Sequence, residues 1–156
     1  MSNSLTSTGR DDAHMPETGD PEKGVASRAD PGIVEHASPL GFDATLDRLA
    51  KAIERAGLTI FAQIDHAAGA WDAGLAMPPT VVLTYGNAKG GTSVMLAAPQ
   101  AALDLPLRVL VREDADGRTL VAFHPIAPTM LAAGVPEALA NRLEPAQRLL
   151  IEGLQS

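Results

Sequence analysis

The apolar positions of this chain change period along its length, and each change marks an element. From Ile33 the segment IVEHAS alternates apolar and polar residues, the two-residue repeat of a half-buried strand. Leu46, Leu49, Ile53 and Ala56 then recur at helical spacing, with Asp43 or Thr45 placed to cap the helix and Gly57 to stop it. Asp47 and Lys51 stand one turn apart on the outer face of that helix. LTIFAQID returns to alternation and predicts a strand with Leu58, Ile60, Ala62 and Ile64 on one face. AAGAWDAGL predicts a short turn of helix, and its small residues permit close packing. TVVLTY is a nearly unbroken β-branched run, which predicts a central strand covered on both faces.

The glycine-rich segment YGNAKGGT follows at residues 85–92, and SVMLAAPQAAL predicts a short helix ended near Pro99. LPLRVLVRED and RTLVAFHP flank Asp114-Ala115-Asp116-Gly117, the signature of a hairpin. The last third is helical, and Pro136 and Pro145 suit first-turn positions, so it divides into separate short helices. Leu139, Leu143, Leu149, Leu150 and Leu154 form an apolar stripe there, either part of the chain's own core or a face for self-association. Strands and helices mix without strict alternation. That predicts an α+β fold, a single compact α/β sandwich over residues 32–156 with a mixed sheet and helices packed on it. Residues 1–31 lack apolar periodicity and carry scattered Pro, Gly and Ser, which predicts a disordered N-terminal tail.

Composition narrows the function. Of 156 residues, 46% are hydrophobic and 20% charged, enough for a buried core, but only 3% are aromatic. Trp71 and Tyr85 stand alone in their types, so no stacking platform for single-stranded nucleic acid is available. The net charge of −7 disfavours phosphate backbones and anionic lipid surfaces as partners. Cysteine is absent, which removes disulfides and thiolate chemistry. No signal segment opens the chain and no apolar run is long enough to span a bilayer, so the expectation is a cytoplasmic protein with no nucleic acid or membrane partner.

Three features bear on chemistry. The first is YGNAKGGT, where Tyr85, Gly86, Asn87, Lys89, Gly91 and Thr92 follow a buried strand and precede a helix. Such a junction can hold a small anionic ligand, because glycines let backbone donors approach and Lys89 adds charge. It can equally be a turn whose glycines supply positive φ, with Thr92 or Ser93 as the helix cap. It is not a nucleotide-binding P-loop, since Gly90 and Gly91 separate the lysine from the hydroxyl residue. The second feature is Asp65-His66 at a strand end, which suits an acid–base pair, a metal or haem ligand, or a simple helix cap. His14, His36 and His124 stand at no metal-ligand spacing from it, so no metal site is predicted and no cofactor is assigned; a spatial cluster of His36, His66 and His124 is the one arrangement that would change this. The third is Arg108 with Arg112 on one face of a strand, either a salt-bridged surface or a carboxylate clamp.

LTIFAQIDHAAGA, PPTVVLTYGNAKGGTSVM and LDLPLRVLVREDADGRT, in that order, resemble the bacterial and archaeal family called domain of unknown function 302. The resemblance covers roughly residues 33–135 and implies a compact α/β sandwich and a homodimer. It carries Asp65, His66, Gly69, Gly86, Asn87, Lys89, Gly91 and Thr92 as motif residues. Ala88 stands where the family usually has proline, and Arg112 where it commonly has a bulky aromatic. The family name supplies no activity. The expectation is a small-ligand-binding or sensing module, dimeric, with its pocket between His66, the Tyr85–Thr92 segment and a neighbouring strand. The alternatives are an enzyme using Asp65-His66 on a small anionic substrate, and a structural interaction domain without a ligand.

Overall fold

The alternating segments become five strands and the 3.6-period segments become helices, in a computed structural model that describes residues 32–156. The expected N-terminal tail lies outside the described residues. β1 (Val34–Ala37) leads to α1 (Phe42–Arg55), and β2 (Thr59–Asp65) runs directly into α2 (His66–Asp72). β3 (Thr80–Gly86) passes through Asn87 into α3 (Ala88–Ala97), followed by a 3-10 turn at Pro99–Asp104. The hairpin of β4 (Leu107–Glu113) and β5 (Thr119–Phe123) comes next. α4 (Ile126–Ala132), α5 (Glu137–Asn141) and α6 (Pro145–Gln155) complete the fold.

The strands form one sheet in the order β1-β5-β4-β3-β2, and the fold is α+β as the pattern predicts. The sheet is antiparallel throughout rather than mixed. A parallel neighbour needs a helix long enough to carry the chain back along the strand before the next one starts. α2 and α3 sit instead at strand ends and reverse the chain, so β3 returns beside β2 and β4 beside β3.

One sheet face carries the core. Val81, Leu83 and Tyr85 of β3 and Leu107, Val109 and Val111 of β4 are buried against Leu49 and Ile53 of α1 and Leu150 and Leu154 of α6. Each such side chain is worth about 1.5–3 kcal/mol of burial. The opposite face has no helix over its centre: Val82, Leu110 and Leu120 are only half-buried. β3 is therefore central by hydrogen bonding but covered on one face only, and the half-exposed positions Thr80 and Thr84 tolerate that water. The C-terminal leucine stripe belongs to the chain's own core, with Leu150 and Leu154 buried and Leu139, Leu143 and Leu149 packed against it.

Several local expectations change for identifiable reasons. The register slips between Ile60 and Ala62, where a bulge shifts the alternation by one residue. Ile60 therefore packs on the core while Ile64 turns outward and is 45% exposed. α1 begins after Gly41, so neither Asp43 nor Thr45 caps it. Thr45 lies inside the first turn, fully buried, with its hydroxyl 2.6 Å from that of Ser38 and donating to the Leu40 carbonyl. At the far end of the core, Gln147 of α6 is buried and bridges two backbone groups: it accepts from the Ile126 amide and donates to the His124 carbonyl, each across 2.8 Å. That amide stands at the start of α4, so α6 and α4 are pinned together through one side chain. Among the described residues no helix is long and apolar enough to cross a membrane.

Candidate functional site

β3 delivers Tyr85 inward and Gly86 to its end, and Asn87 then starts a helix at once. The Asn87 backbone is extended, with φ −130° and ψ 120°, and its side-chain oxygen accepts from the amides of Lys89 at 2.9 Å and Gly90 at 3.3 Å. This is an N-cap, and it stands several residues earlier than Thr92 or Ser93. Gly91 donates to the Asn87 carbonyl, the first bond of α3. The expected glycine turn is therefore the opening turn of a helix. None of Gly86, Gly90 and Gly91 has positive φ.

Two consequences follow for an anion site. The amides of Lys89 and Gly90 are already taken by Asn87, so the helix N-terminus is less open to an anion than its sequence implies. The glycines, conversely, have no conformational reason to be glycine. A Cβ built on Gly90 or Gly91 meets no atom within 4 Å. Glycine in a helix interior costs roughly 1 kcal/mol relative to alanine, so this pair is tolerated without any return in packing or turn geometry.

What the glycines do is leave space. A cleft of about 720 Å³ lies beside them, within the usual range for small-molecule sites. Tyr85, Gly86, Asn87, Lys89, Gly91 and Thr92 all line it. Its other walls come from Leu58 and Phe61 at β2, from Met95 of α3, from Leu105–Leu107 at the start of β4, and from Arg142, Leu143 and Ala146 where α5 leads into α6. Of these, Arg142 and Ala146 belong to no motif. The register of β4 against β3, where Tyr85 faces Leu107, brings the β4 segment to the cleft, and the packing of α5 on α3 and the Tyr85–Ala146 bond bring the α5–α6 segment. The Tyr85 hydroxyl donates to the Ala146 carbonyl at 2.8 Å, and burial holds this phenol well above its ordinary range, so it is neutral.

Asp65 and His66 stand elsewhere. Asp65 pairs with Val81 and Thr59 with Gly86, so the Asp65-His66 corner lies at the opposite end of the β2–β3 ladder from the cleft. Five residue steps of about 3.4 Å put roughly 17 Å between the two places. Asp65 accepts from the Ala68 amide at 2.9 Å and caps α2, and His66 is the exposed first residue of that helix. The single pocket expected between His66 and the glycine segment is thus two separate places. His36 and His124 do not join His66 either, because β1 and β2 are opposite edges of the sheet, four strand spacings or roughly 19 Å apart. Among the described residues no group of three metal-ligating side chains converges. On the open sheet face Arg112 pairs with Glu35 at 3.1 Å, the salt-bridged arrangement rather than a clamp.

The family described as "Domain of unknown function DUF302" matches residues 34–155 of this chain. The crystal structure of an uncharacterized conserved protein DUF302 from Bacillus stearothermophilus has the same fold, with a TM-score of 0.68 at 18% identity over 79% of this chain and 95% of that one. Among curated proteins, the chain is similar to the fluoride-specific ion channel FluC 1 of Brucella suis biovar 1, 38% identical over 94 residues, which is 60% of this chain and 37% of that protein. FluC 1 of Brucella abortus biovar 1 is likewise 38% identical over 94 residues, 60% of this chain and 35% of that protein. The chain thus spans little more than a third of the length of these curated relatives.

Proposed function

Because the chain belongs to the family described as domain of unknown function DUF302, whose name carries no activity, we propose a function from the cleft itself: a small-ligand-binding or sensing module that acts as a homodimer in the cytoplasm. The observation that carries this reading is the glycine pair inside α3. Gly90 and Gly91 weaken a helix, need no positive φ and stand where an added Cβ would meet no neighbour, yet they keep one wall of a 720 Å³ cleft free of side chains. Binding is favoured over acid–base catalysis by what the cleft contains. Its titratable side chains are Lys89, Arg142 and a buried, neutral Tyr85, with no carboxylate or imidazole beside them. The Asp65-His66 pair, the basis of an enzymatic reading, is occupied in capping and lies away from the cleft.

The dimer is supported by the arm formed by β2 and α2. β2 is an edge strand with one side unpaired, and Phe61, Ile64, Trp71 and Leu75 are 51%, 45%, 77% and 66% exposed along this arm. An open edge with large apolar side chains is a surface that another copy can extend or cover. The ligand reading is tested by native mass spectrometry of the protein purified from cells, beside a Gly91→Leu variant that adds a side chain to the cleft wall. The wild type is expected to retain a small organic molecule that the variant does not. Equal retention, or none in either, rejects the cleft as a ligand site.

A second reading rests on the 38% identity to proteins named fluoride-specific ion channels. On it, the chain is an accessory module of an anion channel, and not its pore, since no described helix suits a membrane. Fluoride efflux from cells lacking this chain is the test: unchanged efflux removes the channel connection and leaves the cleft's role untouched.

A further inference from the structure

The net charge of the chain is −7, with 19 acidic residues against 12 basic. Against that background the charged lining of the cleft beside α3 is reversed. Lys89 and Arg142 line it, and no carboxylate does. Among the described residues neither cation has an ion-pair partner, a state they share with Arg55, Arg108 and Arg148 but not with Lys51, Arg112 and Arg118. The contrast with the open sheet face is direct. That concavity is of similar size, about 700 Å³, but Glu35 and Asp104 line it together with Arg108 and Arg112, and Glu35 neutralises Arg112.

The rest of the cleft is apolar. Leu58, Phe61, Met95, Leu105 and Leu143 supply side chains that gain from covering hydrocarbon. Two of the helix-start amides at the mouth are already satisfied, since Asn87 caps those of Lys89 and Gly90. A phosphate cradled by helix amides, the arrangement of nucleotide loops, is therefore not what this geometry favours. An inorganic anion alone would leave the apolar walls wet, and a neutral hydrocarbon would leave two cations unpaired.

We propose that the cleft beside α3 takes an amphipathic organic anion: an apolar body against Phe61, Met95, Leu105 and Leu143, with a carboxylate-type head held by the side chains of Lys89 and Arg142. The inference rests on the cleft being a ligand site, the reading given above. Arg142 becomes a specificity residue that no sequence motif marks. Gly90 and Gly91 acquire a purpose, since a side chain there would intrude where the body must lie. Lys89 and Arg142 are both exposed, so attraction between them and the head group is screened by salt while the apolar contacts are not.

The experiment is isothermal titration calorimetry with octanoate, octanol and octylamine, and with 2-naphthoate as an anion of different body shape. It uses the full chain, Lys89→Gln, Arg142→Gln, the double variant, and Gly91→Leu. At least one anion is expected to bind the wild type about tenfold or more tightly than its neutral counterpart, with octylamine weakest. The double glutamine variant is expected to lose that advantage while octanol binding stays level, and rising salt should do the same. Gly91→Leu should weaken every ligand. If octanol binds as tightly as octanoate, or the glutamine variants keep full affinity for the anions, the anionic class is overturned while the cleft remains a ligand site. If neither anion binds at millimolar concentration, the amphipathic-anion inference fails, and retained ligand in the native mass spectrum decides the broader reading separately. All variants alter exposed positions or open space, and a thermal melt of each confirms that lost binding is not lost folding.

Discussion

Tyr85 donates its phenolic hydrogen to the Ala146 carbonyl oxygen across 2.8 Å, tying β3 to the first turn of α6 at the base of the cleft. The side chain is fully buried, so one residue serves as core, inter-element tie and cleft wall. It is also the chain's single tyrosine, which makes its titration readable without interference.

Burial raises the Tyr85 phenol far above the ordinary value of about 10. The folded protein thus favours the protonated form more than the unfolded chain does. The stability from this group is whole below about pH 10 and is lost as pH climbs above it toward the folded value. Phenolate absorbance is expected to appear only together with loss of the circular dichroism signal. Tyr85→Phe should abolish that absorbance and cost about 1 kcal/mol in urea denaturation, from the lost hydrogen bond between β3 and α6. Free titration of Tyr85 in the folded protein at pH 10 would contradict its burial.

Gly90→Ala and Gly91→Ala should each stabilise the protein by roughly 0.5–1 kcal/mol, because alanine favours a helix and the added methyl group meets open space. The same changes should reduce ligand retention. A loss of stability of comparable size would mean that the glycines serve the fold.

Asn87→Ala removes the acceptor for the Lys89 and Gly90 amides, and a loss of about 1 kcal/mol is expected by chemical denaturation. Asn87→Asp should keep the cap, since its carboxylate accepts the same bonds beside the positive end of the helix. If alanine is neutral, the cap contributes nothing to α3.

Gln147→Leu should be more damaging, at about 2–3 kcal/mol, although it keeps a similar volume. It strands the Ile126 amide and the His124 carbonyl, neither of which regains a partner from leucine. Equilibrium unfolding of this variant beside a substitution at the exposed Gln100 separates the bridge from a generic glutamine effect.

Trp71, the only tryptophan and 77% exposed, reports on the β2–α2 arm. Its emission is expected to shift to shorter wavelength as protein concentration rises and a second copy covers the arm. Ile64→Lys should hold the emission at the long-wavelength limit and sediment as monomer. A wild-type chain that is monomeric at micromolar concentration removes the dimer.

The order and type of elements were legible from the sequence because they follow from local signals: alternation in IVEHAS and LTIFAQID, a β-branched run at Val81–Tyr85, helical spacing from Leu46 to Ile53, an Asp-Gly turn at Gly117, proline breaks at Pro136 and Pro145. The apolar, β-branched run at β3 did not reveal that one of its faces stays open, because coverage depends on where α1 and α6 lie. Nor did alternation in β2 reveal the bulge that turns Ile64 outward, since a one-residue slip is set by pairing with β3. Half the cleft was visible in YGNAKGGT. The other half was not: Leu105 and Leu143 read as parts of a strand segment and of an apolar helical stripe, and Arg142 as an isolated cation, until the antiparallel return of β4 and the packing of α5 bring them beside α3. Asp65-His66 shows the same rule in reverse. Its strand hydrogen-bonds to the one that ends in Gly86, yet antiparallel pairing sends the two motifs to opposite ends, since adjacent antiparallel strands finish at opposite edges of the sheet.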